Sequence, residues 1–166
     1  MKVEAAIIIE SMTKPIHILN EMIRSDMRKR YPEIRHELLP SKPIRVNNAN
    51  SLTQAVIKFI KLSGGQAERI SVMGRTIDNR ISFVDTLGHT RQIGSVTWIP
   101  GTMTRGSADI SATIKGRSVK IEVKWGKDRQ SAAQAKYQSD IERAGGIYLI
   151  VHTFDDFYAW YTNNIR

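Results

Sequence analysis

The stretch that most constrains this chain runs from Asp109 to Val151. Two short β-type runs, Asp109-Ile110-Ser111-Ala112-Thr113-Ile114 and Ser118-Val119-Lys120-Ile121-Glu122-Val123-Lys124, are separated only by the tight turn Lys115-Gly116-Arg117. Such runs joined by a short glycine-containing turn predict a β-hairpin. Ser131 to Ala144 then switches to helical spacing, with Ala133, Tyr137, Ile141 and Ala144 on one face and Gly145-Gly146 as the stop. The unbroken apolar run Ile147-Tyr148-Leu149-Ile150-Val151 follows and reads as a buried strand. Sheet and helix in this alternation place the chain in the α/β class, with a central mixed β-sheet flanked by helices.

Upstream, Ser51 can cap a helix carrying Leu52, Ala55, Val56, Phe59, Ile60 and Leu62, which Gly64-Gly65 ends. Glu68–Met73, Arg80–Val84 and Ser95–Ile99 are short, β-rich and bounded by turn formers, and read as successive strands. Downstream of Val151, Asp155 or Asp156 can cap a last helix with Phe157, Trp160 and Tyr161, packing over the sheet edge. Residues 51–166 thus form the main domain. Residues 1–50 read as an N-terminal extension: an apolar strand within Met1–Glu10, a basic amphipathic helix from Pro15 to Tyr31, and a linker rich in proline and asparagine. The helix, with Arg24, Arg28, Lys29 and Arg30 among its apolar positions, reads as a phosphate-gripping arm or else as a solvated face or dimer contact.

A chain of 166 residues can bury a core without staples. The absence of cysteine removes disulfides, thiolate metal sites and cysteine nucleophiles together, so any metal must be held by oxygen or imidazole. The apolar run near the start is too short to span a membrane and lacks a cleavage pattern, which with the missing cysteines suits the cytoplasm. A net charge of +9 concentrates polyanions, nucleic acid first and anionic membrane second. His17, His36, His89 and His152 show no zinc-ligand spacing, and neither Gly-Gly pair opens a helix with Gly-Lys-Ser, so a nucleotide cofactor is not expected.

Alternation along the second hairpin strand puts Glu122 and Lys124 on one face, and the turn brings Asp109 near the level of Glu122 on the partner strand. Two carboxylates a few ångströms apart favour a shared proton or a hard divalent cation, and Mg²⁺ on one or two carboxylates suits a phosphate substrate. The lysine beside them can orient or deprotonate a water or stabilise charge on the phosphate. The plainer reading of the same residues is an exposed strand face with an ordinary ion pair.

Taken together, Gly106-Ser107-Ala108-Asp109-Ile110, Ile121-Glu122-Val123-Lys124, Gln134 and Gly145-Gly146-Ile147-Tyr148-Leu149-Ile150-Val151 resemble the core of the PD-(D/E)XK nucleases, and most closely their VRR-NUC branch. The resemblance spans roughly Ser51 to Tyr161. It implies a restriction-endonuclease-like core in which Asp109, Glu122 and the Val123 carbonyl bind Mg²⁺ or Mn²⁺. It also makes Lys124 the catalytic lysine and Gln134 an accessory group. Standalone members of the branch are similar to phage or mobile-element nucleases that act as homodimers on branched DNA, which implies DNA as partner and junction or flap cleavage as the activity.

Many family members carry a glutamate on the first core helix, where this chain has Gln54; Glu68 on the next strand is the other acid that can reach in. Gln134 also fits a Ser131-x-x-Gln134 capping box. Arg105, Lys127, Lys115 and Arg117 surround the hairpin in sequence and are candidate contacts to the DNA backbone, or ordinary surface charge. The alternatives to a DNA endonuclease are a catalytically inactive nucleic-acid-binding module on the nuclease fold and an assembly protein acting through its basic N-terminal helix.

Overall fold

The computed structural model describes residues 14–39, 42–70, 74–99 and 104–165. The expected strand within Met1–Glu10 and the end of the Glu68–Met73 run lie outside them. The elements are α1 (Pro15–Arg30), α2 (Ala49–Leu62), β1 (Gln66–Arg69), β2 (Arg75–Asp78), β3 (Ile81–Val84), β4 (Thr90–Ile93), β5 (Val96–Ile99), β6 (Ile110–Ile114), β7 (Arg117–Val123), α3 (Ala132–Arg143), β8 (Ile147–Val151) and α4 (Phe154–Asn164), with a short 3₁₀ turn at His36–Leu38. The class is α/β. The central sheet has the order β1-β6-β7-β8 and is mixed, antiparallel from β1 to β7 and parallel between β7 and β8.

The β6–β7 hairpin closes more tightly than a three-residue turn. Ile114 pairs with Arg117, leaving a two-residue loop of Lys115 and Gly116, with φ of 47° and 79°. Both residues are left-handed, as in the type I′ turn whose twist matches the flanking strands. The short loop sets the register, and Ile110 lies opposite Ile121 at the far end.

One face of this sheet is apolar. Ala67, Ile110, Ala112, Ile114, Val119, Ile121, Val123 and Val151 project into a core completed by Leu52, Val56, Phe59 and Ile60 of α2 and by Phe154 and Phe157 of α4. The Phe59 ring meets Phe154, Phe157, Tyr158 and Tyr161 edge-on at centroid distances of 5.0–5.9 Å, which locks α2 to α4. α1 enters the same core: Leu19 is fully buried in it. The segment read as a linker is also held down, since Ile44 N donates to Asn20 Oδ1 (2.8 Å) and Asn20 Nδ2 donates back to Ile44 O (3.2 Å). Ile44 and Val46 pack against the core beside it.

Two helix caps differ from the sequence reading by the same logic. Asn48 caps α2 by accepting from Ser51 N (2.8 Å), and Ser51 Oγ accepts from Asn48 N (3.1 Å), so Ser51 is the third residue of a reciprocal capping box. Thr153 caps α4 in the same way with Asp156 at the third position, displacing Asp155 and Asp156 as caps. In each case the downstream polar group reaches back to an orphan backbone N–H.

The runs between β1 and β6 do not join the central sheet. β2 pairs with β5, and β3 with β4, in two separate two-stranded ladders. They share one register: Asp78 lies opposite Val96 and Ile81 opposite Ile93, with two residues between the ladders on each strand and Asn79 N donating to Ser95 O (3.1 Å). Residues 74–99 are therefore one long hairpin arm, bent where Gly94 (φ 95°) lets the chain pass against the Asn79 carbonyl. Among the described residues no helix is long and apolar enough to cross a membrane.

Candidate active site

The second face of the central sheet is polar at one end. Cross-strand partners share a face, so the register that puts Ile110 opposite Ile121 in the core puts Asp109 level with Glu122 on the other side, where Lys124 and Tyr148 also project. α3 lies across this face, with Tyr137 edge-on to Tyr148 at 6.3 Å. The two hairpin strands and the start of α3 thus bring Asp109, Glu122, Lys124 and Gln134 together.

Glu122 and Lys124 are both almost wholly buried, and Lys124 Nζ lies 3.0 Å from Glu122 Oε1. The ammonium donates further to Gln134 Oε1 (3.1 Å) and to Asp128 Oδ2 (3.3 Å). Gln134 Nε2 donates to Glu122 Oε1. Gln134 Oε1 also accepts from Ser131 N (2.8 Å), so this side chain closes the capping box of α3 and clamps the acid–lysine pair at once. Capping and site contact coexist because the amide has two ends and its oxygen two lone pairs. Upstream, Gly106 adopts φ 83°, and a Cβ there would lie 2.9 Å from Gln134 N and closer still to the Ala133 carbonyl. Only glycine lets the segment leading to Asp109 pass so close beneath the start of α3.

Asp109 is anchored rather than free to swing: its Oδ2 accepts from Val123 N at 2.9 Å, and its own carbonyl accepts from Ile70 N at 2.7 Å. Glu122 is different, because its Oε2 is buried with no hydrogen-bond partner among the described residues. Burial raises the Glu122 pKa; the Lys124 hydrogen bond opposes this and the nearby Asp109 charge adds to it. Burial works against the Lys124 ammonium, but Glu122 and Asp128 outweigh it and hold its pKa above the ordinary value. Burial, then the Glu122 charge, pushes the Tyr148 phenol up to about 12.

This donor set fits a hard cation. A buried carboxylate oxygen without a partner is costly, and a second carboxylate beside it supplies the charge that a divalent ion neutralises. Among the described residues no three acidic or imidazole side chains gather into a metal-holding group, so Asp109 and Glu122 would bind an ion together with backbone oxygen and water. Gln54 faces solvent on α2, and Glu68 is exposed on β1, on the polar side of the sheet opposite Ser111.

The four basic positions divide. Arg105 is exposed beside α3, where it lines a cavity of about 280 Å³ with Thr104, Lys136 and Tyr137. Lys127 is exposed in the loop between β7 and α3, next to Asp128. Lys115 and Arg117 sit at the turn of the hairpin, roughly 20 Å along the strands from Asp109. Arg117 instead donates to the Asn164 carbonyl at 3.0 Å.

The sequence alone does not single out Asp128 or Tyr148. Strand alternation from Glu122 across to β8 marks Tyr148 as facing the site, whereas nothing in the spacing of Asp128 signals that a loop folds it back onto Lys124. No family model matches the chain, and no curated protein matches it significantly.

Proposed function

We propose that this protein is a Mg²⁺- or Mn²⁺-dependent endonuclease of the PD-(D/E)XK type that hydrolyses DNA phosphodiester bonds. The observation that carries the reading is Glu122: a buried carboxylate with one oxygen clamped by Lys124 and Gln134 and the other without a partner, level with Asp109. The surrounding sheet and helices support a nuclease-like core, and the net charge of +9 supports a polyanionic substrate.

Asp109, Glu122 and the Val123 carbonyl would hold the ion. Bound there, it supplies Lewis-acid polarisation of the phosphate and a water of lowered pKa. The chain's own residues do the rest. Lys124, hydrogen-bonded to Glu122 and Asp128, is placed to donate to phosphate oxygens or to orient the attacking water. Gln134 holds Glu122 Oε1 and Lys124 Nζ in one geometry, which lowers the reorganisation needed when phosphate arrives. Arg105 and Lys127 flank this end of the sheet and suit backbone contacts; branched DNA, junctions or flaps, is the substrate class the family resemblance favours.

Titration of Mn²⁺ into the full chain, combined with cleavage of linear, flapped and four-way DNA with and without Mn²⁺, tests this. Expected are one metal-binding event lost in Asp109→Ala and metal-dependent cleavage lost in Lys124→Ala. DNA binding without metal binding or cleavage would instead indicate an inactive nucleic-acid-binding module.

A further inference from the structure

Among the described residues two buried side-chain polar atoms have no hydrogen-bond partner, Glu122 Oε2 and the Tyr148 hydroxyl. They lie on neighbouring strands and on one face of the sheet. β7 and β8 run parallel with Lys120 opposite Tyr148 and Glu122 opposite Ile150, so the two orphaned groups are diagonal neighbours, a separation within reach of an aromatic side chain.

β8 is otherwise apolar. In Ile147-Tyr148-Leu149-Ile150-Val151 the tyrosine is the one residue with a polar side-chain atom. It projects away from the core that Val151 enters, onto the face that carries Asp109, Glu122 and Lys124. A phenylalanine would fill the same space beneath α3 and leave no hydroxyl unpaired, whereas buried tyrosines usually find their O–H a partner.

The polar groups around the hydroxyl are engaged elsewhere. Lys120, directly opposite, donates to Ser111 Oγ. Gln130 lies beside the phenol, but its amide nitrogen donates to Gln138 Oε1 at 2.8 Å. Tyr137 meets the ring edge-on and fixes its tilt. With its pKa pushed up to about 12, by burial first and the Glu122 charge second, the phenol keeps its proton at neutral pH and offers a lone pair as well as an O–H.

An ion at Glu122 Oε2 would bring water with it, since Asp109, Glu122 and the Val123 carbonyl leave about half of an octahedral shell unfilled by protein. Water on a divalent cation is a strengthened donor and needs an acceptor on the side that the fold closes.

We propose that Tyr148 is a positioning residue of this site: its hydroxyl accepts a hydrogen bond from a water carried by the ion at Glu122 Oε2 and so fixes the ion from the β8 side. This rests on Asp109 and Glu122 holding a cation, and it adds to them a side chain that acts through water.

Mn²⁺ titration of the full chain without nucleic acid, followed by electron paramagnetic resonance of the free ion, tests it together with denaturant unfolding of the metal-free proteins. Tyr148→Phe keeps the ring against Tyr137 and removes only the hydroxyl. It should bind Mn²⁺ roughly 10- to 100-fold more weakly than the wild type, the usual effect of losing an outer hydrogen-bond partner of a metal site. Its metal-free stability should equal or exceed that of the wild type, because a buried group without a partner has been taken away. Tyr137→Phe, which trims the packing partner, should bind Mn²⁺ as the wild type does. An equal fall in Tyr137→Phe would trace the effect to ring packing and overturn the proposal. Weaker binding in Tyr148→Phe accompanied by a loss of metal-free stability also overturns it, because the hydroxyl then has its partner within the fold. Mn²⁺ binding that is lost in Asp109→Ala but unchanged in Tyr148→Phe removes Tyr148 alone, whereas a wild type that binds no Mn²⁺, or binds it equally well after Asp109→Ala, removes the cation site and Tyr148 with it.

Discussion

The Lys124 ammonium sits 3.0 Å from Glu122 Oε1, with both side chains buried beneath the start of α3. Truncating one member of a buried pair leaves the other uncompensated, which typically costs about 3–5 kcal/mol. Here Gln134 still donates to Glu122, so Lys124→Met should cost less, about 2–4 kcal/mol near neutral pH in metal-free protein. A divalent cation can replace the lost charge. Saturating Mg²⁺ should therefore stabilise Lys124→Met more than it stabilises the wild type. Denaturant unfolding of both proteins with and without Mg²⁺ measures this, and equal stabilisation of the two would count against a cation site at Glu122.

The raised Glu122 pKa makes a second prediction with a definite sign. A carboxyl whose folded pKa lies above its unfolded value binds its proton more tightly in the fold. The penalty for ionised Glu122 is thus present in full above the folded pKa. It is relieved as pH falls through that value and is gone below the ordinary carboxyl value of 4.5. Glu122→Gln cannot ionise, and the Lys124 ammonium it leaves behind keeps Asp128 Oδ2 (3.3 Å) and Gln134 Oε1 (3.1 Å) as acceptors. In metal-free protein the variant should exceed the wild type in stability near neutral pH, and the gap should close as the pH approaches 4.5. Unfolding midpoints of the pair across that range test it; a gap that widens on acidification has the wrong sign.

Gln134 joins two jobs that paired substitutions can separate. Ser131→Ala removes only the cap of α3, about 1 kcal/mol, and should leave cleavage near the wild-type rate. Gln134→Ala removes the reciprocal half of that cap and also frees Glu122 Oε1 and Lys124 Nζ. A similar stability loss is expected, with a fall in kcat of roughly tenfold or more that Ser131→Ala does not share. If the two variants match in both stability and rate, Gln134 is a cap alone.

How much of this was legible beforehand depended on how local the cause was. The β6–β7 register follows from alternation and a turn, and it carries Asp109 to the level of Glu122 without further help. The Ser131–Gln134 box is equally local. What failed to show was set by partners distant in sequence. Ile81, Phe83 and Trp98 mark strands convincingly, yet alternation says only that a segment is extended, not which sheet takes it, and the segment became an arm. The sequence does not mark Asn48 and Thr153 as the caps, because each capping box has polar residues at both ends, and which one caps depends on where the backbone turns helical.

The boundary drawn at residue 50 raises the last prediction. α1 and the segment after it read as an extension because prolines and asparagines separate them from the first core helix. Composition cannot reveal that Leu19 enters the core or that Asn20 ties down Ile44 through both amide atoms. A fully buried leucine truncated to alanine costs about 2–5 kcal/mol, through lost burial and the cavity left behind. Leu19→Ala should destabilise the whole protein by that amount in a single cooperative transition. A separately folding extension would instead show a first transition that shifts and a second that does not. Removing residues 1–48 deletes Leu19, Ile44 and Val46 together and uncovers the outer faces of α2 and α4. The truncated chain should therefore unfold at far lower denaturant than the full chain, and metal binding is best tested by point substitution rather than by truncation.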